Sequence, residues 1–440
     1  MAFHIPGIRV KHSLPAVPLT APARLPPPEK LYVPLSMHIG APAAACVKPG
    51  DYVYKGQLLG EARGAISASV HASVSGRVLS IEPYPSARGG LCETVILQND
   101  GLETLSPDIR PHGECEQDPD ALTALVRACG IVGMGGATFP TAAKIDSARG
   151  KVDTLILNGA ECEPGLGSDY CAMLYESDTL LHGIALLKMA CGAENAILAI
   201  EENKSRAISL LSAKLPSGVK LQVLPTRYPQ GGEKQLIYHL TGREIRSGGL
   251  PADVGCAVFN VETAIAVAKA VETGLPLIER YCTVSGTAVQ NPCVVRVPVG
   301  TPLSHILATV GGCKTPVKKV ILGGLMMGSA IYDLSVGTNK GSNGLLLMAE
   351  EERQEPGSCL RCGRCAAHCP MGLMPNYLHL FAEKNDPEKL LAYHVADCIE
   401  CGSCAYGCPA KLPLVQDMKL GKARLRSWQA AEKARKEAGK

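Results

Sequence analysis

Short apolar runs broken by glycine and turn residues fill positions 32–102, as in Val47-Lys-Pro-Gly-Asp-Tyr-Val-Tyr-Lys-Gly-Gln-Leu-Leu-Gly60 and Ser69-Val-His-Ala-Ser-Val-Ser-Gly-Arg-Val-Leu-Ser-Ile81. This spacing predicts a small all-β sandwich or barrel. From 118 to 274 the pattern changes: strand-like runs at 152–158, 196–200 and 221–224 alternate with helix-period segments at 174–189, 204–215, 233–240 and 262–272. Alternation of that kind predicts an α/β domain, with ligands at the carboxyl ends of its strands. Residues 275–335 read strand, strand, short helix at 303–310, strand, an order that fits a β-grasp module. Residues 355–415 place one helical stretch, 381–393, between two cysteine runs. Positions 1–31 are proline-rich without a period and predict an extended arm.

Composition narrows the class. The chain has 440 residues, 46% hydrophobic and 19% charged, with a formal net charge of +3. At roughly 100 to 200 residues per domain, about two to four domains are expected. The balance argues against disorder and against a nucleic-acid footprint spread over the whole protein. No apolar run approaches the roughly 18 residues that span a bilayer, and the first ten residues lack the apolar core of a secretory signal. A soluble intracellular protein, or one peripheral to a membrane, is expected. Basicity is confined to the end: residues 415–440 carry eight Lys/Arg against three acids. A tail over 416–440 of this kind is either a solvated helix end or a contact for anionic lipid or an acidic redox partner.

Nineteen cysteines in a large chain without a signal point to metal or redox chemistry rather than disulfides. Eleven (Cys46, Cys92, Cys115, Cys129, Cys162, Cys171, Cys191, Cys256, Cys282, Cys293 and Cys313) have no ligand-like spacing and are expected to pack as small hydrophobes. The other eight form Cys359-Leu-Arg-Cys362-Gly-Arg-Cys365-Ala-Ala-His-Cys369-Pro370 and Cys398-Ile-Glu-Cys401-Gly-Ser-Cys404-Ala-Tyr-Gly-Cys408-Pro409. Three thiolates at this spacing wrap one cube, and the fourth, turned away by proline, reaches the other. Cys359, Cys362, Cys365 and Cys408 are therefore expected to hold one [4Fe–4S] cluster, and Cys398, Cys401, Cys404 and Cys369 the second. Zinc knuckles would use paired CxxC motifs or add histidines.

Gly130-Ile-Val-Gly133-Met-Gly135-Gly136-Ala-Thr138-Phe139-Pro140-Thr141-Ala-Ala-Lys144 puts four glycines before a helix start, where backbone and free N–H groups can approach an anionic or planar ligand. By itself a glycine-rich turn is a weak signal. Downstream follow Asn158-Gly-Ala-Glu161-Cys-Glu163-Pro164, Tyr228-Pro-Gln-Gly231-Gly232-Glu233-Lys234 and Asn260-Val261-Glu262-Thr263.

The four segments together resemble the flavin- and NADH-binding subunit family of respiratory complex I. That resemblance implies that Gly133, Gly135, Gly136, Lys144, Asn158, Glu161, Tyr228, Gly231, Glu233, Asn260 and Thr263 surround FMN. It places Phe139 and Glu163 against the nicotinamide nucleotide, the ring for stacking and the carboxylate for ribose hydroxyls. Met134, Ala160, Gly232 and Phe259 depart from it, standing where that family has arginine, aspartate, glutamate and asparagine.

The run 47–81 resembles the barrel-sandwich hybrid fold of biotinyl and lipoyl carriers, with His71, Ala72 and Ser73 near the point where carriers present a lysine. The whole order, with 34–43 (PLSMHIGAPA), 231–244 (GGEKQLIYHLTGRE), 247–256 (SGGLPADVGC), 323–328 (GGLMMG) and 369–375 (CPMGLMP), is similar to the RnfC family of Rnf ion-translocating ferredoxin:NAD oxidoreductases. The implied fold class is multidomain α/β plus all-β: barrel-sandwich hybrid (32–102), α/β FMN/NADH-binding domain (118–274), β-grasp module (275–335) and an α-helical two-[4Fe–4S] ferredoxin-like domain (355–415). The implied function is electron exchange between NAD(H) and two [4Fe–4S] clusters through FMN. Implied partners are the other proteins of the complex and a ferredoxin, at the cytoplasmic face of the inner membrane. No side chain need act as acid, base or nucleophile. A flavin-dependent cobalamin reductase and a flavin-free iron–sulfur relay are the competing readings.

Overall fold

The computed structural model describes residues 7–11, 14–350 and 355–438. Parts of the expected arm (1–6 and 12–13) and of the tail (439–440) lie outside them. The described chain forms two compact units, residues 14–225 with 251–350 and residues 7–11 with 226–250 and 355–438.

In the first unit, residues 30–99 form a four-stranded antiparallel sheet ordered Lys30–Pro34, Leu91–Asn99, Gly76–Pro85, Tyr52–Val53, beside a three-stranded one of Ala44–Ala45, Leu58–Glu61 and Val70–His71. Period-two alternation turns Leu31 and Val33 inward onto Val53, Leu59, Val70, Val95 and Leu97, all fully buried. Each such side chain contributes roughly 1.5–3 kcal/mol. Gly76 (φ 150°) sits where an added Cβ would lie 1.9 Å from Gln98 O, so a larger residue would break the pairing of the two longest strands. His71, Ala72 and Ser73 are buried, and Ser73 Oγ donates to Val299 O at 2.6 Å. The turn that a carrier domain leaves open is closed here.

The α/β part holds a parallel sheet ordered Val219–Leu224, Asn195–Glu201, Thr154–Gly159, Cys256–Asn260. Three strands are laid down in one direction, and the fourth returns to the far side of the first. The strand ends flanking that reversal are a topological switch point, where open α/β sheets take their ligands. Asn158 and Asn260 face each other there in register. The helical run expected at 174–189 is two helices, Ser168–Tyr175 and Ser177–Cys191. The break falls at Glu176, whose Oε1 accepts from Lys269 Nζ and Tyr281 Oη, each at 2.6 Å. The polar run Glu176-Ser177-Asp178-Thr179 marks the break locally, and the expectation of one helix passed over it. Ser177–Cys191 packs on Val261–Thr273 at Gly183, where an added Cβ would lie 2.0 Å from Ala264 O.

The fourth sheet is mixed, ordered Ala23–Arg24, Cys293–Pro298, Glu279–Ser285, Gly344–Met348, Lys319–Leu322, Ser329–Ile331. It differs from expectation twice. The module does not end at 335, because Gly344–Met348 is an interior strand with Leu345, Leu346 and Leu347 fully buried. The arm does not stay free of the sheets either: Ala23–Arg24 adds an edge strand, and Arg24 pairs with Glu103 and Glu279 at 2.5 and 2.6 Å. Two residues are too few to show a period.

The second unit is helical. Pro375–Glu383 and Pro387–Ala392 replace the single stretch expected at 381–393; Asn385 turns left-handed (φ 53°), Asp386 caps through Lys389 N, and Pro387 starts the next helix. Leu414–Ala438 is one helix, with Leu414, Met418 and Leu425 buried and the latter two packed in a core with Leu378, Ala382, Leu390 and Val395. The first half of the basic tail is thus core material. Residues 226–250, expected inside the α/β domain, belong to this unit with the helix Glu233–Thr241, and Tyr228 pairs with Ile8 through two 2.9 Å backbone bonds.

Candidate functional site

Each cysteine run makes a loop, a glycine at positive φ (Gly363, 75°; Gly402, 80°) and a one-turn helix, Arg364–Ala367 or Ser403–Tyr406. The eight thiols line two cavities. Cys359, Cys362, Cys365 and Cys408 share one with Leu360, Pro409, Leu412 and Leu414. Cys369, Cys398, Cys401 and Cys404 share the other with Met371, Leu373, Val415 and Met418. Each run therefore lends its last cysteine to the other cavity. Among the described residues no group of three His, Cys, Asp or Glu is placed to hold a single metal ion. Thiols spread around a space suit a cube held by one thiolate per iron, whereas zinc would draw four sulfurs to about 2.3 Å from one centre.

Backbone N–H groups already face the sulfurs: Ala366 and Asn376 at Cys365, Met371 and Leu373 at Cys369, Ala405 at Cys404, and Glu400 at Cys398 (3.4 Å). Burial pushes the Cys404 thiol up to about 12 and Cys398 to about 11, so iron binding there must displace protons. Tyr228 Oη donates to Cys401 O at 2.6 Å, and Gln235 Nε2 lies 2.8 Å from Met371 Sδ. Tyr228, which the resemblance placed around the flavin, thus braces a cluster loop with its hydroxyl. Gly231 and Glu233 follow it in the same unit, Glu233 opening the helix Glu233–Thr241.

The glycine loop of the first unit is closed on itself by Gly133 N donating to Phe139 O (2.8 Å), and Met134 N donates to Thr263 Oγ1 (3.1 Å). Thr138 takes a left-handed backbone (φ 55°) and is gripped by Ile39 N on its carbonyl and Arg88 Nη1 on its hydroxyl. Gly135, Gly136 and Ala137 are left exposed, while Phe139 is half-buried. An added Cβ on Gly135 would lie 2.8 Å from Asn260 Nδ2; one on Gly136 would meet nothing within 4 Å. This open glycine face, beside Asn158 and Asn260 at the strand ends, fits a planar polar ring such as a flavin.

The remaining residues assigned to the nucleotides hold the frame. Lys144 Nζ donates to Val258 O (3.0 Å), and Asn158 Oδ1 accepts from Ala160 N (3.1 Å). Asn260 caps Val261–Thr273 through Glu262 N and donates to Asp169 Oδ2, both at 2.8 Å. Glu161 is buried, accepting from Asp169 N, Tyr170 N and Ser168 Oγ and pairing with Lys204 at 3.6 Å. Glu163 accepts from Met326 N (3.0 Å) and Met327 N (2.9 Å), so both its oxygens anchor the 323–328 loop. A ribose would have to compete for that carboxylate.

Family models match along the chain: an RnfC barrel sandwich hybrid domain (7–102), the Nuo51 FMN-binding domain (126–269), an SLBB domain (281–330) and a 4Fe-4S dicluster domain (358–412). The RnfC protein of the Na(+)-translocating ferredoxin:NAD(+) oxidoreductase complex of Acetobacterium woodii is 42% identical over 90% of this chain and 90% of its own length. The chain belongs to the RnfC family. The corresponding protein of the proton-translocating complex of Clostridium ljungdahlii is 43% identical, covering 93% of this chain and 91% of its own. For the ion-translocating complex of Pseudomonas aeruginosa the values are 44%, 90% and 52%.

Within this RnfC chain the departures from the complex I pattern acquire a physical reason. Met134, Ala160 and Phe259 are buried, Met134 and Phe259 in the main apolar core of the domain, with Lys144 Nζ 5.7 Å from the Phe259 ring centre. Polar residues there would be costly to bury. At Gly232 an added Cβ would lie 2.4 Å from Gln235 Oε1.

Sequence reasoning missed Lys340. It is fully buried, and its Nζ donates to Ser69 O and Gly130 O, each at 2.6 Å. Arg280 was missed too: Nη1 donates to Lys340 O (2.7 Å) and Nη2 pairs with Glu262 (3.1 Å). Lone basic residues in glycine-rich or β-strand context carry no motif that would single them out. Of the eleven unassigned cysteines, Cys115, Cys129, Cys171, Cys191, Cys256 and Cys282 are buried and Cys92, Cys162, Cys293 and Cys313 half-buried, but Cys46 is exposed.

Proposed function

We propose that this RnfC-family protein exchanges electrons with NAD(H) at the switch-point end of its α/β sheet and relays them through two four-thiol cluster sites. The chain is an oxidoreductase subunit with an FMN-binding domain and a 4Fe-4S dicluster domain. Bound flavin would supply the one chemistry the side chains lack, taking two electrons as hydride and releasing them singly to iron–sulfur centres that accept one.

The observation that carries this reading is the joint presence, in one chain, of an open glycine face at paired asparagine strand ends and two cavities each lined by four cysteines. In this reading Gly133, Gly135 and Gly136 let the ring approach the backbone, Thr263 and Asn260 fix the loop, and Lys144, Asn158 and Glu161 hold the strand ends. Phe139 offers a face to the nicotinamide, and Glu163 acts through the 323–328 loop it anchors. Tyr228, Gly231 and Glu233 lie in the cluster unit, where Tyr228 steadies the Cys401 backbone. The apolar lining of the second cavity shields the buried Cys369, Cys401 and Cys404, whereas Cys359 and Cys362 of the first are exposed.

Partners are the other proteins of an ion-translocating complex, a ferredoxin and NAD(H), as the relatives' names state for their own complexes. No helix among the described residues is long and apolar enough to cross a membrane, so membrane association is peripheral, through those partners. We place it on the cytoplasmic face, where NAD(H) is available.

Flavin and iron content test the reading together. Purified protein should release one flavin and hold about eight irons per chain. Iron without flavin, under several preparations, would replace it with a simple relay, and reduction of a cobalamin by NADH would favour the reductase alternative.

A further inference from the structure

The two cysteine runs agree in spacing and disagree in charge. Arg361 and Glu400 occupy the same place, two residues after the first cysteine, and both take a left-handed backbone (φ 52° and 57°). Arg361 lines the cavity of Cys359, Cys362, Cys365 and Cys408, and Glu400 lines the cavity of Cys369, Cys398, Cys401 and Cys404. Two lysines meet Glu400 at the second cavity: Lys422 Nζ donates to Cys398 O at 2.6 Å and to Glu400 Oε1 at 2.7 Å, which largely balances Glu400, and Lys419 Nζ lies 4.0 Å from Glu400 Oε2 on an exposed side chain that solvent screens. Among the described residues no acid forms an ion pair with Arg361. Exposure differs in the same sense, since Cys359 and Cys362 are exposed whereas Cys369, Cys401 and Cys404 are buried.

Reduction adds one negative charge to a cube. A nearby cation and solvent stabilise that charge, whereas burial and a nearby carboxylate oppose it. Backbone N–H groups face sulfurs at both sites, Ala366 and Asn376 at the first and Met371, Leu373, Ala405 and Glu400 at the second, so hydrogen bonding favours reduction of the second and works against the difference that charge and burial set up. We propose that the two clusters are held at unequal reduction potentials, the Cys359 set higher and the Cys398 set lower. Arg361 raises the first, and the balance between Glu400 and Lys422 sets the second. The inference rests on both sites holding [4Fe–4S] clusters, and iron and sulfide analysis checks that separately.

The test is a reductive titration of the whole protein followed by electron paramagnetic resonance. Wild type should show two resolved one-electron steps. Arg361→Gln should lower only the higher step, by about threefold in the reduced-to-oxidised ratio, because the side chain is exposed and screened. Glu400→Gln should raise only the lower step and Lys422→Met should lower it, each by about tenfold, or about 59 mV for one electron. Lys422→Arg should leave it in place. The double variant Glu400→Gln/Lys422→Met, which restores local neutrality, should return it close to wild type even if either single variant loses iron. Coincident steps in the wild type, or variants of full iron content that move both steps equally or neither, would overturn the proposal. Wild-type iron far below about eight per chain would instead overturn the cluster reading itself.

Discussion

The buried ammonium of Lys340 donates to the Gly130 carbonyl at 2.6 Å, where the helix Pro119–Ala128 gives way to the glycine loop. The same ammonium holds Ser69 O of the small β domain, so one side chain fastens the loop to its neighbour. Lys340→Met would leave two buried carbonyls without a donor, at about 1–3 kcal/mol each. Its melting temperature should fall and its flavin-to-iron ratio should drop, because the cysteine cavities belong to the other unit. An unchanged ratio would reduce Lys340 to a packing residue.

Burial pulls Lys340 down to about 7. Between that value and the ordinary lysine value of about 10.4, the folded state binds fewer protons than the unfolded one, so this group's contribution to stability rises with pH. Below about pH 7 both states are protonated and the contribution is flat. Thermal unfolding of wild type and Lys340→Met, compared from about pH 7 to pH 10, should show the wild type gaining relative to the variant.

The acids beside Asn260 carry the opposite sign. Burial, with Glu262 and Glu161 nearby, holds Asp169 well above the usual carboxylate range. Burial likewise raises Glu262 to about 7, although Arg280 pulls it down. Above the ordinary carboxylate value of about 4 and up to about 7, the folded state binds more protons than the unfolded one, so stability from these groups is lost as pH rises. Asp169→Asn keeps an acceptor for Asn260 and removes one charge. The melting temperature of wild type relative to this variant should fall between about pH 5 and pH 8.

Two adjacent glycines separate loop geometry from ligand approach. Gly135→Ala would press a methyl against Asn260 and disturb the helix cap at Glu262, whereas Gly136→Ala would meet no protein atom. Gly135→Ala should therefore lower both thermal stability and flavin content. Gly136→Ala should keep stability and lower flavin content alone if a ring lies on this face. Full flavin retention by both variants would make the segment a plain turn.

The readable parts of this chain were those in which short-range spacing encodes chemistry. The CxxCxxCxxxCP runs predict the crossed lining of the two cavities, and the alternation between 152 and 224 contains three strands of the parallel sheet, but the fourth, Cys256–Asn260, which makes the switch point, was not among the strands read. What could not be read depends on distant partners. Lys340 matters because Ser69 and Gly130 come to it from sequence positions far away. Glu163, a ribose contact by resemblance, also accepts from the backbone of Met326 and Met327, which no local spacing shows. The break between Asn385 and Pro387 is different: Asn-Asp-Pro is a local turn signal and was available in the sequence.

Crossed ligation gives the sharpest test of the cluster sites. If each run lends its last cysteine to the other cavity, Cys408→Ser removes the fourth ligand of the Cys359 set and leaves the Cys398 set whole. Its paramagnetic spectrum should then match that of Cys362→Ala. By the same logic Cys369→Ser should match Cys401→Ala. Uncrossed ligation, with each run enclosing one cube, predicts the reverse pairing of spectra, so four single variants decide between the two arrangements. Flavin content should be unchanged in all four, because none of these cysteines belongs to the unit that carries the glycine loop.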